Sequence, residues 1–274
     1  MSTPSVSTPR PKIGLIIIGD EILSGKRQDK HLSKFIEILA ARGMSLDWAQ
    51  YLGDDRSHIS VRLREAFASG DLVISCGGIG ATPDDHTRQA AAAALDRELV
   101  LHSEARALIW QRIQDMAAEK GESVDPEHPD TLRRLEMGVF PAGAEIIPNP
   151  FNKIPGFSVG TVYFVPGFPV MAHPMMEWVL DQRHADLQRP VQRQELSLIV
   201  QGAMEASLTP LMERVEADFP GIKVFSLPSV DHPQWGRHIE LGVKGPAEQM
   251  DAAYQALKSG VIQFGASVST ELVR

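Results

Sequence analysis

Leu72-Val73-Ile74-Ser75-Cys76-Gly77-Gly78-Ile79-Gly80-Ala81-Thr82-Pro83-Asp84-Asp85-His86-Thr87 is the stretch whose reading decides the fold. Its first five residues are apolar or small on both faces, the pattern of a parallel strand covered by helices on each side. A glycine-rich turn follows, and then an alanine-rich run from Thr87 to Leu95 of high helix propensity. Strand, glycine turn and helix in direct succession form half of a βαβ unit.

The same rhythm runs upstream. Residues 13–18 form a continuous β-branched run ending at Gly19. Leu32, Phe35, Ile36 and Leu39 fall at helical spacing, with Asp29 as the N-cap and Gly43 just beyond the end. Residues 46–52 read as a second strand, and Ile59, Leu63 and Phe67 mark the apolar face of a second helix. Strand alternating with helix three times predicts a three-layer, doubly wound, mostly parallel α/β sheet. Ligands of such sheets bind beyond the carboxyl ends of the strands, so the loops 19–25 and 77–85 are expected on one rim.

Downstream, residues 103–119 predict an amphipathic helix and 121–129 a polar loop. Turns at Asn149-Pro150 and Ile154-Pro155-Gly156 precede a strand at 162–165, the segment Pro166-Gly167-Phe168-Pro169 and a helix at 170–180. These elements make a first domain of residues 11–182, and the charged stretch 181–193 with Pro190 reads as a linker. Residues 194–274 predict a small α+β domain of ferredoxin-like or KH-like kind: strand 195–200, helix 207–219, strands 223–227 and 239–243, helix 246–259, and a further strand within 261–268. It has no Gly-x-x-Gly loop and no basic run, which disfavours RNA.

Composition bounds the function. The 274 residues carry 27 basic and 35 acidic side chains, a net charge of -8, which argues against nucleic acid but not against a nucleotide held by backbone amides and a cation. One cysteine, Cys76, excludes an intramolecular disulfide and any multi-cysteine metal site. The segment MSTPSVSTPR has no apolar stretch of a signal peptide and reads as a frayed tail. No run approaches the ~18 apolar residues of a membrane span, so a cytoplasmic protein is expected.

The chemistry gathers at three strand exits. At Gly77-Gly78-Ile79-Gly80 the backbone can approach a ligand closely, and the amides opening the next helix would face a phosphate. Thr82 and Thr87 add hydroxyls, and Asp84 with Asp85 could bridge a hard cation to phosphate oxygens. The same residues also suit a plain turn with a helix cap. Gly19-Asp20-Glu21-Ile22-Leu23-Ser24-Gly25 places two carboxylates directly after a buried strand, which packing explains poorly. Gly53-Asp54-Asp55 by itself reads as capping. Three acidic turns on one rim would repel one another unless a cation or a shared proton relieved them, so metal dependence is expected.

These motifs, with Pro-Asn-Pro and Pro-Gly-Phe-Pro, occur in an order that resembles the molybdopterin-binding (MoaB/Mog-like) domain, most closely the amino-terminal domain of the competence/damage-inducible CinA family. The resemblance covers residues 12–180, and the tail is similar to that family's KH-like domain. In a sequence ending at Arg274, no counterpart of the CinA carboxy-terminal amidohydrolase domain is expected. The resemblance implies a pterin phosphate or nucleotide on the glycine loop. It also implies hydrolysis of the pyrophosphate of ADP-ribose-like substrates with magnesium, manganese or cobalt, or alternatively non-hydrolytic binding or adenylylation of molybdopterin. It further implies a homo-oligomer. By motif matching, Asp54 and Asp85 are the catalytic and metal-binding residues. The ligand-facing residues are Gly19, Asp20, Glu21, Ser24, Gly25 and Asp29, then Gly77, Gly78, Gly80, Thr82, Asp84 and Thr87, then Asn149, Lys153, Pro155, Gly156, Pro166 and Gly167.

The sequence departs from the family pattern at four places. Ala81 stands at the proline of Gly-Gly-Leu-Gly-Pro-Thr, and His31 replaces the amide of Asp-x-Asn. Asn152-Lys153-Ile154 replaces the small residues of Asn-Pro-x-Gly-Thr-Ala-Pro-Gly, and Met171 replaces a glutamate. Lys153 reads either as a phosphate ligand or as a solvated lysine. His173 reads either as a substrate contact or as a helix-end residue. Cys76, Met171, Met175 and Met176 read as packing.

Overall fold

The computed structural model describes residues 10–188 and 195–273, so residues 1–9 of the expected tail and 189–193 of the expected linker lie outside it. The chain forms two compact units, one ending at Gln188 and the other carrying the residues beyond it.

The first unit contains, in order, β1 (Ile13–Ile18), α1 (Asp20–Leu23), α2 (His31–Ala40), β2 (Trp48–Leu52), α3 (Arg56–Ser69), β3 (Leu72–Cys76), α4 (Thr87–Leu95), β4 (Leu99–Leu101), α5 (Ser103–Lys120), α6 (Pro129–Leu135), β5 (Val139–Pro141), β6 (Glu145–Ile147), β7 (Gly156–Val159), β8 (Val162–Val165) and α7 (Pro169–Arg183). Six strands form one sheet in the order β2-β1-β3-β8-β7-β6. β1 is parallel to β2 and β3, and β3 to β8, while β7 is antiparallel to both β6 and β8. β4 and β5 pair as a separate antiparallel ribbon.

The all-apolar β1 explains the three layers. Ile13, Leu15 and Ile17 point into a core shared with Phe35 and Leu39 of α2 and with Met175, Met176 and Val179 of α7. Ile16 and Ile18 point the other way, into a core shared with Ile59 and Leu63 of α3 and with Ala90 and Ala91 of α4. Each fully buried aliphatic side chain contributes about 1.5–3 kcal/mol. One expected position moves: Ile36 faces out at 47% exposure, and Ile38 is buried in its place. The expected linker also starts later, because α7 runs to Arg183 and a 3-10 turn occupies Ala185–Leu187. β7 is absent from the sequence reading. It is joined to β8 through Gly160, whose φ of 58 suits a tight hairpin.

The second unit contains β9 (Glu195–Gln201), α8 (Glu205–Asp218), β10 (Lys223–His232), β11 (Gly236–Lys244), α9 (Ala247–Phe264) and β12 (Ser267–Val273). Its sheet order is β10-β11-β9-β12 with every pairing antiparallel, the ferredoxin-like β-α-β-β-α-β arrangement. The strand expected within 261–268 is displaced. Val261 is the last buried residue of α9, which runs on to Phe264 before Gly265 ends the helix in the left-handed region. Among the described residues, no helix is long and apolar enough to cross a membrane.

Candidate functional site

All four parallel strands of the first unit end on one rim, because parallel strands share a direction. Gly19 follows β1, Gly53 follows β2, Gly77 follows β3 and Pro166 follows β8. At the first two exits, the Asp20 amide donates to Asp54 Oδ2 at 2.8 Å and the Asp54 amide donates to Asp20 Oδ1 at 3.2 Å. Gly53 permits this approach, since a Cβ there would lie 2.5 Å from Asp20 Oδ1. Asp20, Glu21, Leu23, Ser24, Lys26, Asp54 and Asp84 line a cavity of about 590 Å³. Burial pushes the Asp54 carboxyl up, and repulsion from Asp20, Glu21 and Asp84 adds to this against the opposing hydrogen bond from the Asp20 amide. Asp55 does the capping expected of the segment, accepting from the His58 amide at 2.7 Å.

The glycine loop presents backbone amides that could take an anion. The Gly77 amide closes onto Val165 O, but the amides of Gly78, Ile79, Gly80 and Ala81 donate to no protein acceptor among the described residues. Consecutive free amides at such a turn favour an anion. Gly77 and Gly78 take φ values of 103 and 69, a region that favours glycine. Thr82 and Asp85 fold the far side of the loop, where the Thr82 amide donates to Asp85 Oδ2 at 2.8 Å and the Thr82 hydroxyl donates to the same oxygen.

Of the two residues matched as a metal-binding pair, Asp54 faces Asp20, Glu21 and Asp84, while the Asp85 carboxylate accepts from the Thr82 amide and hydroxyl. Among the described residues, no three His, Cys, Asp or Glu side chains converge as a ready metal site. The acidic rim still fits a hard cation of the magnesium type, which takes one or two carboxylates and completes its shell with phosphate oxygens and water.

Two expected ligand residues, Asp29 and Thr87, serve the scaffold instead. Asp29 accepts from the amides of His31 and Leu32 and from the Tyr51 hydroxyl, which caps α2 and pushes the Tyr51 phenol up to about 12, burial being the larger cause. The Thr87 hydroxyl is fully buried and donates to Gly77 O at 3.0 Å, so it holds the glycine loop from behind. Cys76 is buried core as expected, its thiol pushed up by desolvation. Sequence reasoning missed Lys26 on the cavity wall, and it missed Arg88, a buried cation whose guanidinium donates to Gly80 O at 2.6 Å and to Glu136 O.

The model of the family described as "Probable molybdopterin binding domain" matches residues 14–185. The chain belongs to this family. It is 30% identical over 255 residues to a protein of Pyrobaculum calidifontis, covering 90% of this chain and 94% of that one. It is 32% identical over 218 residues to a CinA-like protein of Syntrophotalea carbinolica, covering 76% of this chain and 50% of that one. The chain thus spans about half the length of such CinA-like relatives. The solved structure of CinA, of unknown function, from Thermoplasma acidophilum is 28% identical, with a TM-score of 0.50 over 64% of this chain and 97% of that one.

Where this member departs from the molybdopterin-binding family pattern, the altered residues bond to one another. Buried Asn149 donates to Asn152 Oδ1 and Ile154 O and accepts from the Phe151 amide. Lys153, at φ 65, extends its ammonium to Asp115 Oδ2 at 2.6 Å, away from a phosphate role. Pro155 and Gly156 are buried where β7 begins, and a Cβ on Gly156 would meet Phe164 O. Asn152 donates to Met171 Sδ at 3.2 Å, which closes this turn over the start of α7. His31 Nε2 meets the carbonyl of exposed Gly167 at 3.0 Å, and its ring stands edge-on to His173, 5.4 Å between centroids. Burial is the main cause lowering the His173 imidazole, with His31 adding to it. His173 is thus a packed helix residue against His31. Pro166 and Gly167 remain on the rim, Gly167 beside Gly77.

Proposed function

We propose that the first unit binds a nucleotide diphosphate and hydrolyses its phosphoanhydride with a divalent cation, an ADP-ribose-like molecule being the substrate class. The observation that carries this reading is the meeting of carboxylates from three strand exits, Asp20, Glu21, Asp54 and Asp84, in one cavity next to a loop of unpartnered amides. The amides of Gly78 to Ala81 bind one phosphate by donating to its oxygens. Asp54 and its neighbours hold magnesium, manganese or cobalt, and Asp85 fixes the Thr82 turn beside that phosphate. The cation, when bound, supplies charge stabilisation of the phosphoryl oxygens. Asp54 would serve as a carboxylate ligand of that cation, whose charge would offset the repulsion from Asp20, Glu21 and Asp84. The test is release of AMP from ADP-ribose by the purified protein with each cation. Turnover that is lost in Asp85→Ala supports the reading, and ligand binding without turnover under any metal contradicts it.

A second reading has its own observation. Met171 stands at a carboxylate position and is closed over by Asn152, which favours non-hydrolytic binding of a pterin phosphate or nucleotide, or adenylylation of molybdopterin. Adenylylated product after incubation with ATP, magnesium and molybdopterin selects the transferase. A rise in Tm without product selects the binder.

A further inference from the structure

Arg88 lies on the first turn of α4 and is only 6% exposed. Its guanidinium cannot shed its proton, so it is a fixed positive charge inside the fold. Its hydrogen bonds go to two backbone carbonyls, Gly80 O at 2.6 Å and Glu136 O, and its Nε has no partner. The carboxylates of Asp85 and Glu136 act on it from longer range. Among the described residues it has no close counter-ion, and an unpaired buried charge is costly.

The Gly80 carbonyl connects this charge to the site. In a trans peptide the carbonyl and the following N–H point in opposite directions. Holding Gly80 O toward Arg88 therefore turns the Ala81 amide to the other side of the loop, and that amide is one of the four without a protein acceptor. Glu136 O anchors the other end of the guanidinium in the 3-10 turn Glu136–Gly138, so the fork is braced between two segments. The arrangement is a cation behind the loop with donors in front of it.

We propose that Arg88 is a positioning residue for the ligand's phosphate: its guanidinium fixes the Gly80–Ala81 peptide with the amide facing the ligand and supplies the positive potential that draws the anion to the loop. This deepens the reading above and rests on it. Nothing in the sequence pattern of glycines and aspartates requires it, because the charge acts through a backbone carbonyl.

The experiment is calorimetric titration of the full chain, in EDTA, with inorganic pyrophosphate, with ADP-ribose and with adenosine, at low and high salt, on wild type, Arg88→Lys and Arg88→Met. Folding of each variant is checked by circular dichroism and Tm. Arg88→Met should lose about tenfold or more in affinity for pyrophosphate and ADP-ribose at low salt. That loss should shrink as salt rises. Adenosine affinity should stay within twofold. Arg88→Lys, which keeps the charge but not the fork, should fall between wild type and Arg88→Met. If Arg88→Met does not fold, Arg88→Lys carries the test with an expected loss of about three- to fivefold, and unchanged affinity overturns the proposal. Equal pyrophosphate affinity in folded Arg88→Met and wild type also overturns it, as does an equal loss for adenosine. A wild-type chain that binds neither pyrophosphate nor ADP-ribose, in EDTA or with magnesium added, brings down the reading of the site itself. Binding that is insensitive to Arg88 brings down this inference alone.

Discussion

The acidic rim and the 149–156 turn both carry family motifs, yet their polar groups have opposite fates. On the rim, Asp20, Glu21, Asp54 and Asp84 keep carboxylate oxygens facing a cavity, and their mutual repulsion is part of what raises Asp54. In the turn, Asn149 engages three local partners, Lys153 is paired with Asp115 and Asn152 reaches Met171. Polar groups that satisfy one another build structure, whereas like charges held together in an open cavity ask for a ligand. Hydrogen bonds occur in both, since Asp20 and Asp54 accept from each other's amides, and what separates the two cases is charge: the rim gathers four carboxylates, while the turn pairs its lysine.

The largest effect that would sharpen this contrast comes from Asp54. Asp54→Ala should lower AMP release by about 100-fold or more while leaving the protein folded, as measured by steady-state turnover and Tm. The sign of its stability effect follows from its raised pKa. Ionisation of a carboxyl raised in the folded state costs stability above the folded pKa, and this cost disappears as pH falls below the unfolded value. Asp54→Asn should therefore raise Tm at pH 7, with the gain shrinking on acidification toward pH 4. A loss of Tm at pH 7 would break the comparison from the rim side.

Asn149→Ala is the matching test in the turn. It leaves the Phe151 amide and the Ile154 carbonyl without their partner, and should cost about 2–3 kcal/mol of stability by denaturant unfolding. Ligand affinity of the folded fraction should be unchanged. The smallest effect is expected for Lys153→Met. Its ion pair with Asp115 is substantially solvated, so its loss should cost under about 1 kcal/mol. ADP-ribose affinity should stay within twofold, and a tenfold loss would return Lys153 to the phosphate.

Much of the fold was legible because β1 and β3 are apolar on both faces, which admits few arrangements other than a covered parallel sheet. β7 was not legible, since its four buried residues follow a proline-glycine turn and pair across a hairpin without an Asn-Gly signal. In the site, the meeting of the Asp20 and Asp54 loops followed from parallel strands ending on one rim. The engagement of Asp85 by Thr82 did not, because it depends on how the loop folds on itself. Thr87 was misread and Lys153 left open for a related reason: their partners, Gly77 O and Asp115, lie 10 and 38 residues away, beyond any local pattern. Arg88 was passed over because burial of a helix arginine leaves no mark in helical spacing.

The central claim is that the rim holds a cation jointly with a ligand's phosphates, as expected of carboxylates that face one cavity without three of them converging. Its most direct test is titration of manganese into the protein with and without a non-hydrolysable ADP-ribose analogue, followed by electron paramagnetic resonance of the free ion. Manganese alone should bind weakly and at least about tenfold more tightly with the analogue, both lost in Asp54→Asn. Manganese affinity that is the same with and without the analogue, or untouched by Asp54→Asn, would contradict it.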